Sequence, residues 1–306
     1  MSVAFCYATK DFWLRKHYHS NVKLCGKTVV ITGGNTGIGR EAILDLAGRG
    51  AKVVMACRDV EKGKRAAEYV RKQVQEANIT VMKLDLTAFA SIRSFAEELL
   101  ATQPHIHYLI NNAAVGACPK WKTNDGFEMQ FGVNYLGHFL LTNLLLERIK
   151  ASAPARIVNL GSIAHILGKI HFEDIHYERT YRSWQAYCHS KLAMVLFTRE
   201  LAKRLHGTGV TTYCVDPGPC HTEIFRYIFK THCIDSFLIR ARSIFYKTAE
   251  HGAEAIVYCV VDPTIASESG YYYNNYKRVK AAKAGRKDET AKRLWDLSEN
   301  LISSVQ

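Results

Sequence analysis

The chain has 306 residues, 48% hydrophobic and 23% charged, with a formal net charge of +13. That balance excludes a disordered or fibrous chain, and the length suits one large α/β domain as well as two ordinary ones. The excess charge sits in three segments, with four bases against one acid in 1–24, five against one in 226–247 and eight against two in 277–293, and the rest of the chain is neutral.

Residues 1–24 form a basic, aromatic extension, with Phe5, Phe12, Trp13, Leu14 and Tyr18 beside Lys10, Arg15 and Lys16. Apolar and basic residues interleaved in this way suit a segment lying on an anionic membrane surface. No run of 18 apolar residues occurs, so no spanning helix is expected, and residues 1–10 are too short and poorly patterned for a signal peptide. Nine scattered cysteines without a CxxC pair argue against a disulfide framework or a zinc site and suit an intracellular, reducing compartment.

From residue 25 onward, strand-like runs fall at Thr28–Ile31, Lys52–Ala56, Ile79–Leu84, Tyr108–Ile110, Arg156–Leu160, Thr211–Val215 and Gly270–Asn274. Many are rich in Val and Ile and read as strands buried on both faces. Helical patterns lie between them near 38–49, 60–77, 88–101, 125–150, 181–206 and 248–261. A last helix is expected over 288–302, with Leu294, Leu297 and Leu301 at helical spacing. This alternation predicts an α/β fold: a single doubly wound domain over 25–302, with a central parallel sheet flanked by helices.

The first strand runs directly into Thr32-Gly33-Gly34-Asn35-Thr36-Gly37-Ile38-Gly39-Arg40, and a helix follows. Between strand and helix, such a turn lets backbone approach a pyrophosphate at a helix N-terminus. An ordinary tight turn is the competing reading. The second strand ends at Cys57-Arg58-Asp59. Asp59 is read as a helix cap. Arg58 and Arg40 together favour a 2′-phosphate, hence NADP(H) over NAD(H); the alternative for Arg58 is a surface pair with Glu61. Asp85 ends the third strand, and two roles stay open for it: accepting an adenine amino hydrogen bond, or capping the helix after Thr87.

The strongest chemical pattern is Tyr187-Cys188-His189-Ser190-Lys191. Tyr187 and Lys191 at i, i+4 share a helix face, which continues inward through Met194, Thr198, Leu201 and Leu205. A buried lysine beside the phenol is expected to lower its pKa and make Tyr187 an acid/base group. Ser162 follows the fifth strand, at a carboxyl end where open α/β sheets bind ligands. Asn134 lies mid-helix, where Asn is a mediocre helix former; a satisfied core amide is the alternative to a functional role.

With these motifs in place, the sequence resembles the short-chain dehydrogenase/reductase family over about 25–302. The matches are Thr32–Gly39, Asn111-Asn112-Ala113-Ala114, Asn134, Ser162, Tyr187/Lys191, and Pro217-Gly218 with Thr222. Ala56–Gly63, Gly126–Met129, Asn134–Phe139 and Lys292–Trp295 are similar to the NADP-preferring retinol dehydrogenases within it. The resemblance implies a Rossmann domain with a substrate loop over 219–250. It implies Tyr187 as acid/base, Lys191 binding the nicotinamide ribose and tuning Tyr187, Ser162 polarising the carbonyl, and Asn134 holding a water. Cofactor contacts carried over are Gly33, Asn35, Thr36, Gly37, Ile38, Gly39, Arg40, Arg58, Asp85, Asn112, Lys191, Pro217, Gly218 and Thr222, with no metal. Three positions depart from the family pattern. Ala114 replaces a Gly, Gly161 replaces a Ser, and Asp216 stands where Asn or His is usual.

The function implied is NADP(H)-dependent hydride transfer with a lipophilic carbonyl or alcohol, retinal/retinol being the resemblance-led choice. Another lipophilic aldehyde or ketone, or a steroid, stays open, as does an NADP(H)-binding regulatory protein. Residues 223–246 are apolar and aromatic, which suits a long hydrophobic substrate, core packing or a dimer contact. They also carry Arg226, Lys230, Arg240 and Arg242, with Lys247 next to them, so peripheral association with the endoplasmic reticulum or another cytosol-facing membrane is expected. No nucleic-acid-binding motif appears, so no nucleic-acid partner is expected; a homo-oligomer stays open.

Overall fold

The computed structural model describes residues 17–220, 224 and 247–305. The strands are β1 (Thr28–Thr32), β2 (Lys52–Cys57), β3 (Ile79–Lys83), β4 (Tyr108–Asn111), β5 (Ala155–Leu160), β6 (Val210–Asp216), β7 (Tyr271–Asn274) and β8 (Lys277–Val279). The helices are α1 (Gly37–Gly48), α2 (Val60–Gln73), α3 (Phe89–Thr102), α4 (Gly137–Ala151), α5 (Ser183–Arg204), α6 (Ala249–Val261) and α7 (Asp288–Ser303). The sheet order is β3-β2-β1-β4-β5-β6-β7-β8, parallel except for the last strand. This is the doubly wound arrangement expected from the alternating pattern.

Helices cover both faces. Residues of α1, α2 and α6 form one apolar layer, and residues of α3, α4, α5 and α7 form the other. β1 is buried along its whole length for this reason. Burial on both faces holds only for the central strands, however. β3 exposes Thr80 and Lys83, and β8 is exposed throughout. β8 was not expected because its Lys-Arg-Val run has no apolar signal. A two-residue reversal at Asn275 and Tyr276, both at positive φ (48° and 57°), folds it back on β7.

The segment expected as one helix over 125–150 is broken into parts. Glu128 accepts the N–H groups of Gln130 (2.9 Å) and Phe131 (2.7 Å), so the helical path starts at Met129. A π-helical turn follows at Gly132–Leu136 and leads into α4. Asn134 lies inside that turn.

Residues 17–24 pack on the body. The Tyr18 hydroxyl donates to Asp262 (3.0 Å), its N–H donates to Glu254 (2.9 Å), and its ring packs edge-on against Tyr258. Tyr18 is therefore half-buried, with its hydroxyl and ring held by the body. Residues 1–16 and 225–246, which carry most of the basic and aromatic residues read as lipid-facing, lie outside the described residues. Among the described residues, no helix is long and apolar enough to cross a membrane.

Candidate active site

Strand order reverses between β1 and β4, which opens a crevice at the carboxyl edge of the sheet. The glycine turn lines it. Gly33 has φ +67°, and a Cβ there would meet the Ala113 Cα at 2.9 Å. A Cβ on Gly39 would come within 2.6 Å of the Gly33 carbonyl oxygen. Asn35, Thr36, Gly37 and Ile38 form its partly exposed rim. Thr36 makes no side-chain capping bond, so the first N–H groups of α1 are left for another acceptor. The Asn112 amide donates to the carbonyls of Thr32 (2.7 Å) and Gly33 (3.1 Å). Its side chain thus clamps the turn. A side-chain-free cradle at a helix N-terminus fits the pyrophosphate of a dinucleotide.

At the tip of β2, Asp59 accepts the Lys62 N–H (2.9 Å) and caps α2, as expected. Arg58 is exposed, and Glu61 pairs with Lys64, so the Arg58–Glu61 alternative is not what forms. Arg40 pairs with Glu41 (2.6 Å) and lies over the Tyr69 ring (4.3 Å). Asp85 accepts the N–H (2.9 Å) and hydroxyl (2.8 Å) of Thr87 through Oδ1, which fixes the turn before α3. The first N–H of α3, on Phe89, goes instead to Asp125 (2.7 Å).

The chemical groups meet at the adjoining strand ends. β5 delivers Ser162, and the inward face of α5 carries Tyr187 and Lys191, which are 3% exposed. Ser162 hydrogen-bonds the Tyr187 phenol and also accepts the Ala164 N–H (3.2 Å). The Lys191 ammonium donates to the Leu160 carbonyl (2.9 Å) and lies 5.8 Å from the Tyr187 ring centroid. Burial lowers the Lys191 pKa to about 8. The expected lowering of the Tyr187 pKa is reversed: burial raises it well above the ordinary value, the Ser162 hydrogen bond opposes this, and the Asp216 charge adds to it. Desolvating the phenolate outweighs the distant ammonium. Tyr187 is held as a phenol at neutral pH.

Asn134 brackets one backbone segment, its Oδ1 taking the Val115 N–H (2.8 Å) and its Nδ2 donating to the Val115 carbonyl (2.9 Å). Nδ2 also donates to Ser190 Oγ (2.9 Å), whose hydroxyl donates to the Tyr187 carbonyl (2.8 Å). Sequence reasoning missed the next link, His138. Thr32 Oγ1 accepts two N–H groups, from Asn112 (3.0 Å) and Ala113 (2.9 Å). Its own proton therefore goes to His138 Nε2 (2.9 Å), and His138 Nδ1–H donates to the Asn134 carbonyl (3.0 Å). Hydrogen bonds thus run from the glycine turn to the catalytic helix. The i, i+4 spacing of Asn134 and His138 was the available signal.

Pro217 and Gly218 turn away from β6, and Lys247 lies against Gly218, its Nζ donating to Asn275. Lys247, read from sequence as one of the lipid-facing bases of this segment, instead has its ammonium on Asn275. Thr222 lies outside the described residues. Ile224, from the expected substrate loop, packs against Ala164, Tyr187 and Cys188.

The family model for short chain dehydrogenases matches residues 27–232. The chain is a short-chain dehydrogenase. Relatives of this short-chain dehydrogenase include human retinol dehydrogenase 12, 52% identical over 92% of this chain and 88% of that one. Mouse retinol dehydrogenase 11 is 50% identical over the same shares. Human retinol dehydrogenase 13 is 44% identical over 96% and 89%. Among solved structures, an uncharacterised protein from Mycobacterium paratuberculosis matches with TM-score 0.74 and 34% identity, over 92% of this chain and 95% of that one. A Beutenbergia cavernae protein described as an NAD(P)-dependent gluconate 5-dehydrogenase with bound NADP matches with TM-score 0.68 and 25% identity, over 83% and 97%. The chain is accordingly an oxidoreductase of the kind that uses NAD(P)(H).

One departure of this short-chain dehydrogenase has a direct steric reason. A Cβ on Gly161 would lie 2.7 Å from Cys214 Sγ and 3.1 Å from Tyr272 Cε2. Those two side chains fill the space a serine would need.

Proposed function

We propose that this oxidoreductase reduces a lipophilic aldehyde or ketone with NADPH, retinal being the leading substrate. The observation that carries the reading is the meeting of Ser162, Tyr187 and Lys191, with exposed apolar residues on the segment after Ser162 and at Trp184. Ile163, Ile166 and Leu167 follow Ser162 directly, and Leu167 is 70% exposed. Trp184 is also exposed, and its ring lies 5.5 Å from that of Tyr187. Such residues suit a long apolar substrate. The names of the retinol dehydrogenases at 50–52% identity support a retinoid.

When bound, the nicotinamide supplies hydride; the chain's residues manage orientation and the proton. Ser162 holds the carbonyl oxygen beside Tyr187. Tyr187, kept protonated by its surroundings, donates the phenolic proton to that oxygen as negative charge develops. Lys191 orients the ribose and places a positive charge behind the phenol. Asn134, anchored by Val115 and Ser190, supports the proton path as a positioning group. A phenol held protonated is in the state that donates to a carbonyl oxygen.

NADP(H) is preferred over NAD(H) on this reading because Asp59 is occupied as a cap, while Arg58 follows the tip of β2 and Arg40 lies in the first turn of α1 after the glycines. The basic, aromatic character of residues 1–16 and 226–246 supports peripheral contact with a cytosol-facing membrane such as the endoplasmic reticulum. The test is NADPH oxidation with retinal, short aldehydes and steroids. Retinal turnover is expected, and Tyr187→Phe should lose roughly 10²–10⁴-fold in kcat. Undiminished turnover in that variant overturns the assignment.

A further inference from the structure

We propose that Asp216 is a positioning residue that supplies the standing negative charge behind the Tyr187–Lys191 pair and, with Tyr272, ties the C-terminal hairpin to the catalytic end. The inference rests on the reduction assigned above.

Asp216 is the last residue of β6 and is 3% exposed. The preceding residue, Val215, pairs with Leu160 and accepts the Gly161 N–H (2.8 Å), so Asp216 ends its strand beside the start of the Ser162 loop. Its Oδ1 accepts the Gly218 N–H (2.9 Å). Its Oδ2 accepts the Tyr272 hydroxyl (3.0 Å) and the Asn274 amide (3.1 Å). Three donors and no acceptor describe an ionised carboxylate. Its charge also fixes the Pro217-Gly218 turn.

The hairpin then reaches the catalytic serine by a second route. The Tyr272 ring packs on His165, with centroids 4.5 Å apart. His165 Nε2 accepts the Ala282 N–H (3.1 Å), so Nδ1 carries the proton and donates to the Ser162 carbonyl (2.7 Å). Gly161 leaves room for Tyr272 and Cys214 at this junction.

Several titratable groups feel the Asp216 charge. α5 presents Tyr187 and Lys191, and His165 lies on the short helix after Ser162. Cys214 and Tyr272 flank Asp216 on β6 and β7, and Cys220 follows the Pro-Gly turn near Lys247. Burial pushes the Cys214 and Cys220 thiols up to about 12, so they are neutral at physiological pH. Burial likewise holds the Tyr272 phenol protonated and lowers His165, which is neutral above its ordinary range. Asp216 is therefore the anion that supports a protonated Lys191 and a protonated Tyr187.

The test is the pH profile of kcat for aldehyde reduction by the full chain with NADPH. Removing the negative charge makes both Tyr187 and Lys191 release protons more readily. Asp216→Asn is expected to move the alkaline limb down by roughly one pH unit. Tyr272→Phe keeps the charge and is expected to leave that limb in place. If Asp216→Asn does not accumulate folded, Asp216→His, neutral above about pH 7, must give the same downward shift. An unmoved limb in the folded Asn or His variant, or an equal shift in Tyr272→Phe, overturns the proposal. No turnover by the unmodified chain overturns the underlying reduction instead.

Discussion

Cofactor choice turns on very few side chains. Arg58 is exposed with no ion pair among the described residues, whereas Arg40 already shares its guanidinium with Glu41 and Tyr69. Arg58 is thus the freer partner for a 2′-phosphate. Arg58→Ala is expected to raise the dissociation constant for NADPH about tenfold or more and to leave that for NADH unchanged. Cofactor fluorescence titration checks this, and equal weakening of both would contradict it. Asp59 shows why charge near a site is a poor guide by itself. Its carboxylate is turned onto the Lys62 N–H, where helix capping holds it. The same local demand holds Asp85 Oδ1 on the N–H and hydroxyl of Thr87.

Among the elements, α7 shows how far from the site the fold is secured. Trp295 is 3% exposed and packs on Phe139 (centroids 4.7 Å apart) and Phe197 (5.7 Å), joining α7 to α4 and α5. Trp295→Ala is expected to cost roughly 3–5 kcal/mol in urea unfolding, because the gap lies between three helices that cannot close on it. A loss under 1 kcal/mol would contradict that packing role. Periodicity revealed α7 because Leu294, Leu297 and Leu301 mark one face. It revealed the glycine turn and the catalytic face of α5 for the same reason: each is local in sequence. The π-helical turn at Asn134 was hidden because it depends on Val115 and Ser190 reaching it from other segments. The β8 reversal was hidden because Asn275 and Tyr276 take positive φ without a glycine. The Tyr187 phenol was misjudged because burial, which dominates its pKa, is set by the whole tertiary environment.

In the molecule as a whole, buried neutral histidines tie stability to pH. Burial lowers His138 to about 4 and His189 to about 3, against 6.5 for an exposed histidine. Below pH 6.5 the unfolded chain binds protons at both sites while the folded chain does not. Their contribution is therefore full above about pH 6.5 and falls as pH drops towards 4 for His138 and 3 for His189. The slope is roughly 1.4 kcal/mol per pH unit per site once the unfolded histidines are fully protonated. The melting temperature should accordingly decline between pH 7.5 and 5, and His138→Leu should flatten the decline. A melting temperature independent of pH in that range would contradict the burial of both rings.

The +13 charge, concentrated in the two chain-terminal segments and the substrate loop, leaves the catalytic body neutral, and that body must do the chemistry. Hydride transfer is its central step, and isotope transfer reads it directly. Single turnover of retinal with NADPH deuterated at one face of C4, and then at the other, should give retinol carrying one deuterium from one of the two cofactors. Retinol without deuterium from either cofactor, or no retinol at all, would contradict the account.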